Sequence, residues 1–582
     1  MKNYKSYIIG LIALVGALQS CVKDSYLEEV NPNAVSSDNY WSNLTESEEN
    51  LTSVYGGLLN QYLWNSEVEA LRSDLAFPRE RTRPLNYGYE WHSQSFTNTI
   101  STHYFKSWNA LYRVIWRANQ VIDGLNGMDE TFKSQERWTT QMAEARFMRG
   151  LMHFYAHSTY NHGEIIIRDK IPTSSEEFSK PLSTSEEAIE FFRTDLQFAY
   201  DNLPNTQTQK TRVSKGTAAT VLGKSYLYTE EYDLAMPLLK DVIEGPYGYS
   251  LLTGDDVSLL FTHAGDYNAE SILEINYTDQ HARLIQTTDS WDEEAYTTRW
   301  ARYTAPTNLG GGGTSYFVPT SWLTYEYSNE PVNPNDSRNY ISGTNIAKSV
   351  PLRCAQMIAV VNDEESTYYN KTPGYEATTF SGTVFSHFKK LTNHDIVGHE
   401  DEVLSTSWAS GKNMIVYRLA DVYLMLAECL IQKNDIDGAL GYINAIRNRW
   451  GLMLLGADDG TGTFNDVTYT KETLMDHLMY LERPLEIGLE GYAERANDLR
   501  RWGVTKQRFE ALAAKEYNVV NYNYTKADGT TGKGSLIQEG PTVNVKTDVN
   551  TEFDDAAVNF IESVHAYLPL PTDEYLYNQE VN

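Results

Sequence analysis

Cations are scarce in this chain. Its 582 residues carry 48 Lys and Arg against 78 Asp and Glu, a formal charge of −30. A nucleic-acid binder needs the opposite field to displace phosphate counterions, so DNA and RNA are excluded as partners. Cysteine is scarcer still, and three in the whole chain are too few for a disulfide scaffold. Long apolar runs are lacking as well. The run Ile8–Leu18 is 11 residues, against roughly 20 for a membrane-spanning helix. Phosphate-loop and nucleophile motifs are missing: no Lys-Ser/Thr follows the four glycines Gly310–Gly313, and no Gly-x-Ser-x-Gly occurs. What the chain does have is aromatics. With 41% hydrophobic residues it can bury a sizeable core, and its 41 Tyr and 12 Trp exceed what packing alone asks for.

The amino terminus carries Lys2 and Lys5, then the short apolar run, and no acidic residue before Leu18-Gln19-Ser20-Cys21. This pattern resembles a bacterial lipobox, in which the cysteine is diacylated and becomes the first residue; the alternative is an ordinary secretory signal cleaved nearby. Residues 1–20 are read as the signal peptide and Cys21 as the lipidation site. The segment after Cys21 has no apolar periodicity and reads as a tether, so the protein is anchored to a membrane by lipid alone.

Helical periodicity marks Thr45–Tyr62, Trp108–Leu125, Glu136–Tyr160 and Ser185–Asn202, the last with Ser185 ahead of Glu186 and Glu187 as a cap. By contrast, Leu71–His103 holds Pro78, Pro84, Gly88 and several aromatics without a period, and reads as a long functional loop. Ser214–Tyr228 and Tyr232–Ile243 follow as a helix pair. Its small residues Gly216, Ala218, Ala219 and Gly223, followed by Tyr226 and Tyr228, resemble a tetratricopeptide hairpin. Val416–Asn448 resembles a second copy. Between the pairs, Thr253–Trp408 is irregular, with short strands expected at Ser271–Tyr277 and Gly382–Phe388. The predicted fold is mainly α: tetratricopeptide-like hairpins with a large irregular loop and short-strand insertion. The predicted organisation is a helical region at 21–250 and a second region at 251–582 containing the insertion, both in one compact unit.

Several ordered segments carry a family resemblance. They are Trp108-Asn109-Ala110-Leu111-Tyr112-Arg113 with Ala118-Asn119, then Ala143–Gly150, Val213–Ala219 and Asp336-Ser337-Arg338. Next come Tyr417–Asp421 running into Leu426-Ala427-Glu428, Ala439–Arg449, Glu482-Arg483, Glu486, Glu490-Gly491, Asp498-Leu499, Arg501-Trp502-Gly503 and Leu568–Pro571. In this order they resemble the SusD/RagB family of Bacteroidetes surface lipoproteins. One departure is a spacer two residues longer between Gly491 and Arg495. The resemblance implies a SusD-like fold and an outer-membrane, outward-facing location, in keeping with the acidic residues after Cys21. It also implies a non-enzymatic, cofactor-free protein that captures oligosaccharide and delivers it to a SusC-type TonB-dependent transporter. Peptide capture, as in the RagB branch, is the alternative, and a surface glycosidase is a third reading.

Sugar rings lay apolar C–H faces on aromatic side chains while polar groups bond their hydroxyls. Two stretches offer such rings: Tyr87, Tyr89 and Trp91, and then Trp291, Tyr296, Trp300, Tyr303 and Tyr316. In glycan-binding members of the family the platform comes from the corresponding two regions. Trp108, Trp116 and Trp322 are assigned to helix packing. Arg72, Arg79, Arg81, Arg83, Arg299 and Arg302 would suit an anionic sugar, although a neutral glycan is equally allowed. Glu482, Glu486 and Glu490, at i, i+4 and i+8, share a helical face. They read as a structural network with Arg483, Arg495, Arg500 or Arg501 rather than an acid–base pair. His153 and His157, also at i, i+4, lack a carboxylate at motif spacing and read as packing or capping residues rather than metal ligands.

The anchor has a direct test. Cys21→Ala releases or mislocalises the protein without altering its fold; a variant that still incorporates palmitate and stays at the surface overturns the lipobox assignment.

Overall fold

The computed structural model describes residues 41–64, 66–79, 86–97, 102–280, 296–298, 300–307, 313–402, 410–541 and 552–581. Cys21 and the signal segment 1–20 lie outside the described residues. Helix α1 (Leu44–Gly57) begins where Asn43 accepts the backbone N–H groups of Thr45 and Glu46. Helix α2 (Ser66–Leu71), strand β1 (Ala76–Pro78) and helix α3 (Asn86–His92) follow. The stretch 71–103, expected as one loop, therefore contains regular elements. Short helices escape a periodicity test because two turns give too few repeats.

Helices α4 (Thr102–Gly127), α5 (Glu136–Thr159) and α6 (Ser185–Asn202) match the periodic segments. The cap of α6 is Thr184, not Ser185, with Glu187 returning the bond to complete a capping box. Gly150 lets α5 and α6 meet: a Cβ there would lie 3.0 Å from the Phe192 carbonyl oxygen. Helices α7 (Lys215–Tyr228) and α8 (Tyr232–Glu244) form the first hairpin. Gly223 faces Leu239 at 3.1 Å in the same sense, so the small residues of the motif are there for close approach.

The insertion holds β2 (Ser271–Ile275), α9 (Trp300–Thr304), β3 (Phe317–Pro319), α10 (Ser321–Asn329), α11 (Leu352–Met357), β4 (Ile358–Val360) and β5 (Ser386–Phe388). Strand β6 (Met414–Arg418) then leads into α12 (Leu419–Gln432) and α13 (Ile436–Arg449), the second hairpin. Residues 416–418, expected as helix, are strand because Ser271–Ile275 pairs with them antiparallel. The chain continues through α14 (Arg483–Ile487), α15 (Glu494–Arg501), α16 (Thr505–Ala513), the hairpin β7 (Tyr517–Thr525)–β8 (Thr531–Glu539), α17 (Asp554–Asn559) and α18 (Glu562–His565). Strands pair only in twos, β1–β3, β2–β6, β4–β5 and β7–β8, among the described residues. The architecture is mainly α, as expected, and one apolar cluster runs from Leu44 to Val581.

What fixes the insertion is a buried charge network. Glu486 takes Arg418 Nη1 at 2.8 Å, Arg353 Nη1 at 3.3 Å, Arg449 Nη2 and the Trp450 indole N–H at 2.8 Å. Glu482 meets Arg353 at 2.6 Å and Arg447 at 2.8 Å. Glu490 meets Lys390 at 2.7 Å and Arg418 at 2.6 Å. Glu270 joins through Arg418 and Arg449, and Glu330 through Arg353. Five cations thus meet five carboxylates. The structural role expected of the three glutamates holds, but their partners are not Arg483, Arg495, Arg500 or Arg501. Nor do they share one helix face: α14 ends at Ile487, and Leu489 has φ 68° before Glu490. Burial would raise the Glu486 carboxyl, but Arg449, Arg418 and Arg353 outweigh it and hold it well below the ordinary range. The longer spacer after Gly491 is taken up by left-handed Ala493, which precedes α15, and by Tyr492, stacked on Tyr155 at 4.3 Å.

Glu486→Gln keeps the shape and removes the central charge. Breaking a buried ion pair from one side costs about 3–5 kcal/mol, read as a fall in unfolding free energy in urea. An unchanged midpoint would show that the network does not hold the fold.

Candidate functional site: an aromatic face on the insertion

Asp74, just ahead of β1, is where the site is anchored. Its carboxylate binds Arg495 side-on at 2.7 Å through both oxygens and Arg508 at 2.8 Å. Its carbonyl accepts the Trp322 indole N–H and, at 2.9 Å, the Thr320 hydroxyl. Burial would raise the Asp74 carboxyl, yet the two guanidinium groups bring it down to about 2. With Asp74 fixed, β1 pairs with β3 in the register Ala76–Pro319, Phe77–Val318 and Pro78–Phe317. That pairing joins the two aromatic stretches of the sequence, because Tyr316 lies one residue before β3 and α3 follows β1.

The turn before β3 is pinned by backbone bonds. The N–H groups of Thr314, Ser315 and Tyr316 donate to the carbonyls of Arg302, Ala305 and Tyr303 at 2.9, 2.8 and 2.6 Å. Gly313, last of the four glycines, is required here, since a Cβ would lie 2.3 Å from the Pro306 carbonyl oxygen. Tyr303 and Tyr316 then stand 5.7 Å apart, tilted by 46°, and Trp300 meets Tyr303 edge-on at 5.8 Å. From the other side α3 closes in. A Cβ on Gly88 would lie 3.5 Å from the Tyr316 hydroxyl oxygen.

The predicted rings therefore separate into groups. Tyr303 and Tyr316 are half-buried against the main core, and Tyr296 is 42% exposed. Tyr89 is half-buried, and its hydroxyl donates to Asp555. Trp300 is buried beneath Tyr303 and supports it rather than offering a face. Trp91 is a correction: it is 4% exposed and packs on Phe96 at 4.8 Å, inside the main core. Its segment is helical, and α3 turns that side inward. Tyr87 falls on α3, but its side chain and all of Trp291 lie outside the described residues.

Trp108 and Trp322 are buried as expected, whereas Trp116 is 38% exposed and lies nearly parallel to Phe178 at 6.3 Å. Of the arginines proposed for an anionic sugar, Arg72 is buried and paired with Glu69 at 2.6 Å, so it is not available to a ligand. Arg81, Arg83 and Arg299 lie outside the described residues. Glu482 and Glu486 are fully enclosed, so they are not placed to act on a glycosidic bond. His153 bonds the Arg149 carbonyl at 2.8 Å and accepts the Arg168 N–H at 3.2 Å, while His157 meets the Ser185 hydroxyl at 2.8 Å. Among the described residues no group of three or more His, Cys, Asp or Glu side chains is placed to hold a metal ion. Sequence reasoning missed Asp74 altogether. Its partners Arg495 and Arg508 lie over 400 residues away, and no local pattern links them.

Antiparallel helix hairpins backing an aromatic surface built on irregular segments define a helical-repeat scaffold with one irregular face. The chain belongs to the SusD family: residues 269–582 match the model described as SusD family. Residues 25–227 match a second, described as starch-binding associating with outer membrane. A SusD-like protein of Formosa agariphila is 26% identical over 68% of this chain and 70% of its own length. Among solved structures, a SusD superfamily protein from Bacteroides vulgatus superposes with a TM-score of 0.70 at 21% identity, covering 93% of this chain and 99% of its own. A structure named as a laminarin-binding SusD-like protein superposes at 0.58, with 19% identity, over 93% and 99%. At these identities the structures show the shared fold.

The burial of Trp91 gives a prediction. Trp91→Ala costs about 3–5 kcal/mol of stability by leaving a cavity, while the folded variant keeps wild-type ligand affinity. A variant that melts normally but binds weakly would return Trp91 to the site.

Proposed function

We propose that this protein captures a glycan on the aromatic face formed by Tyr303 and Tyr316, with Tyr296 and Tyr89 at its margins. In this reading it is held at the outer membrane by a lipid on Cys21 and hands its ligand to a SusC-type TonB-dependent transporter, without chemistry of its own. The observation that carries the reading is the convergence of the two tyrosines on a pinned turn, in a chain whose family models are described as SusD and starch-binding. Two tilted phenol rings present apolar surface to the C–H face of a sugar, and their hydroxyls reach its rim. The backbone bonds at 314–316 hold Tyr316 in place before ligand arrives, which lowers the ordering cost of binding. The laminarin-binding relative supports a β-glucan as the first polymer to try.

The test is a binding screen of laminarin, starch and other polysaccharides beside peptide pools. A polysaccharide should bind, and Tyr303→Ala with Tyr316→Ala should each remove about 1–3 kcal/mol, by analogy with base stacking on aromatic rings. That is roughly a five- to 150-fold loss. Binding confined to peptides, or polysaccharide binding untouched by both substitutions, would overturn the reading, and turnover of a bound glycan by pure protein would overturn the non-enzymatic part.

A further inference from the structure

A cavity of about 720 Å³ opens between α5, α7, α15 and α18. It shares no lining residue with the aromatic face. Half-buried Tyr228 gives it an apolar wall backed by the buried Phe154 and Phe192, and His162 and Ser563 stand among its exposed polar residues. Arg500 also lines it, and its bonding differs from that of Arg495 and Arg501 on the same helix. Its neighbours in sequence are neutralised: Arg495 by Asp74, and Arg501 by Glu428 and Asp498. Arg500 makes no ion pair among the described residues.

The guanidinium is nonetheless held firmly. Its Nη1 donates to the Ser158 carbonyl and, at 3.0 Å, to Asn497 Oδ1. The Tyr567 ring covers its face at 3.9 Å. Nε and Nη2 have no hydrogen-bond partner among the described residues, and neither is a buried orphan. The free edge is therefore the one that grips a carboxylate or sulfate with two parallel N–H bonds. Burial pushes the group below its ordinary value, as befits a cation drawn from water without a counter-ion. Glu562 lines the same cavity but is exposed to water, where its repulsion is screened.

We propose that this cavity binds a sugar ring carrying an oxyanion, its oxygens on the Nε–Nη2 edge of Arg500 and its ring against Tyr228. The oxyanion is the carboxylate of a uronate or the sulfate of a sulfated sugar. The sugar half rests on the glycan reading above; the anion half does not.

Ligand-observed NMR titrations with D-glucuronate, D-glucose 6-sulfate and D-glucose test it. At least one anionic sugar should bind about tenfold more tightly than glucose, and which one does so identifies the source of the oxyanion. Arg500→Gln should erase that preference, and Arg500→Lys should recover only part of it because the fork is lost. Ser563→Trp, which fills the cavity without touching the bonds of Arg500, should abolish binding at an unchanged melting temperature, and serves if the Arg500 variants fail to fold. If Arg500 merely caps the end of α5 through Ser158, Arg500→Gln lowers the melting temperature while anionic and neutral sugars bind alike, and the proposal falls. Loss of glucuronate binding in Tyr316→Ala but not in Arg500→Gln also overturns it. Should no polysaccharide bind while glucuronate and benzoate do so through Arg500, the glycan-capture reading fails and the oxyanion site stands without its sugar specificity.

Discussion

Glu486 sits at the centre of a buried charge cluster, and the placement of the irregular insertion follows from it. The insertion is poor in its own restraints: β3, β4 and β5 are three residues each, too short to hold a segment of its length. It instead contributes Glu270, Glu330, Arg353 and Lys390 to the network, where they meet Arg418 at the end of β6, Arg447 and Arg449 of α13, Glu486 of α14, and Glu482 and Glu490 on either side of α14. Desolvating so many charges is expensive, and an apolar cluster of equal volume would serve stability as well. Geometry is what the charges add. Each guanidinium fork accepts only certain directions, so the network defines where α10 ends and, through α10, where β3 begins.

Asp74 repeats the device at the other end of α10. Its two arginines come from α15 and α16, and its carbonyl is capped by Trp322 and Thr320 of the α10 entrance. Both strands that set the aromatic face thus hang from buried ion pairs rather than from a sheet. The overall charge of −30 gives no hint of this. The central cluster, by contrast, is balanced, five cations against five carboxylates.

What could be read from the sequence was what local chain geometry decides. The two hairpins, α4, α5 and α6 announce themselves because apolar and small residues recur at helical spacing over 13 residues or more. Trp91 was misplaced because α3 has only seven residues, and aromatic content then looks the same in a loop and in a short buried helix. The glutamates at 482, 486 and 490 revealed that they were structural, since three carboxylates in two turns need cations. Their partners stayed hidden because Arg353 and Arg418 are joined to them by tertiary folding, not by spacing. Arg500 was grouped with its neighbours for the same reason, and only the structure shows that it has no carboxylate partner among the described residues.

The two candidate sites answer different electrostatic problems. A neutral glycan approaching Tyr303 and Tyr316 is indifferent to the protein's negative field, and ring faces need only be exposed and held still. An anionic sugar is repelled at a distance by the surplus of carboxylates, although salt limits that repulsion to about 8 Å. Once inside that range it requires a cation that no internal carboxylate has already claimed. In a protein where Asp and Glu outnumber Lys and Arg by 78 to 48, an arginine left unpaired is the harder feature to maintain. Arg500 keeps its free edge because Ser158 and Asn497 engage only Nη1, and Tyr567 covers a face where a carboxylate could otherwise settle.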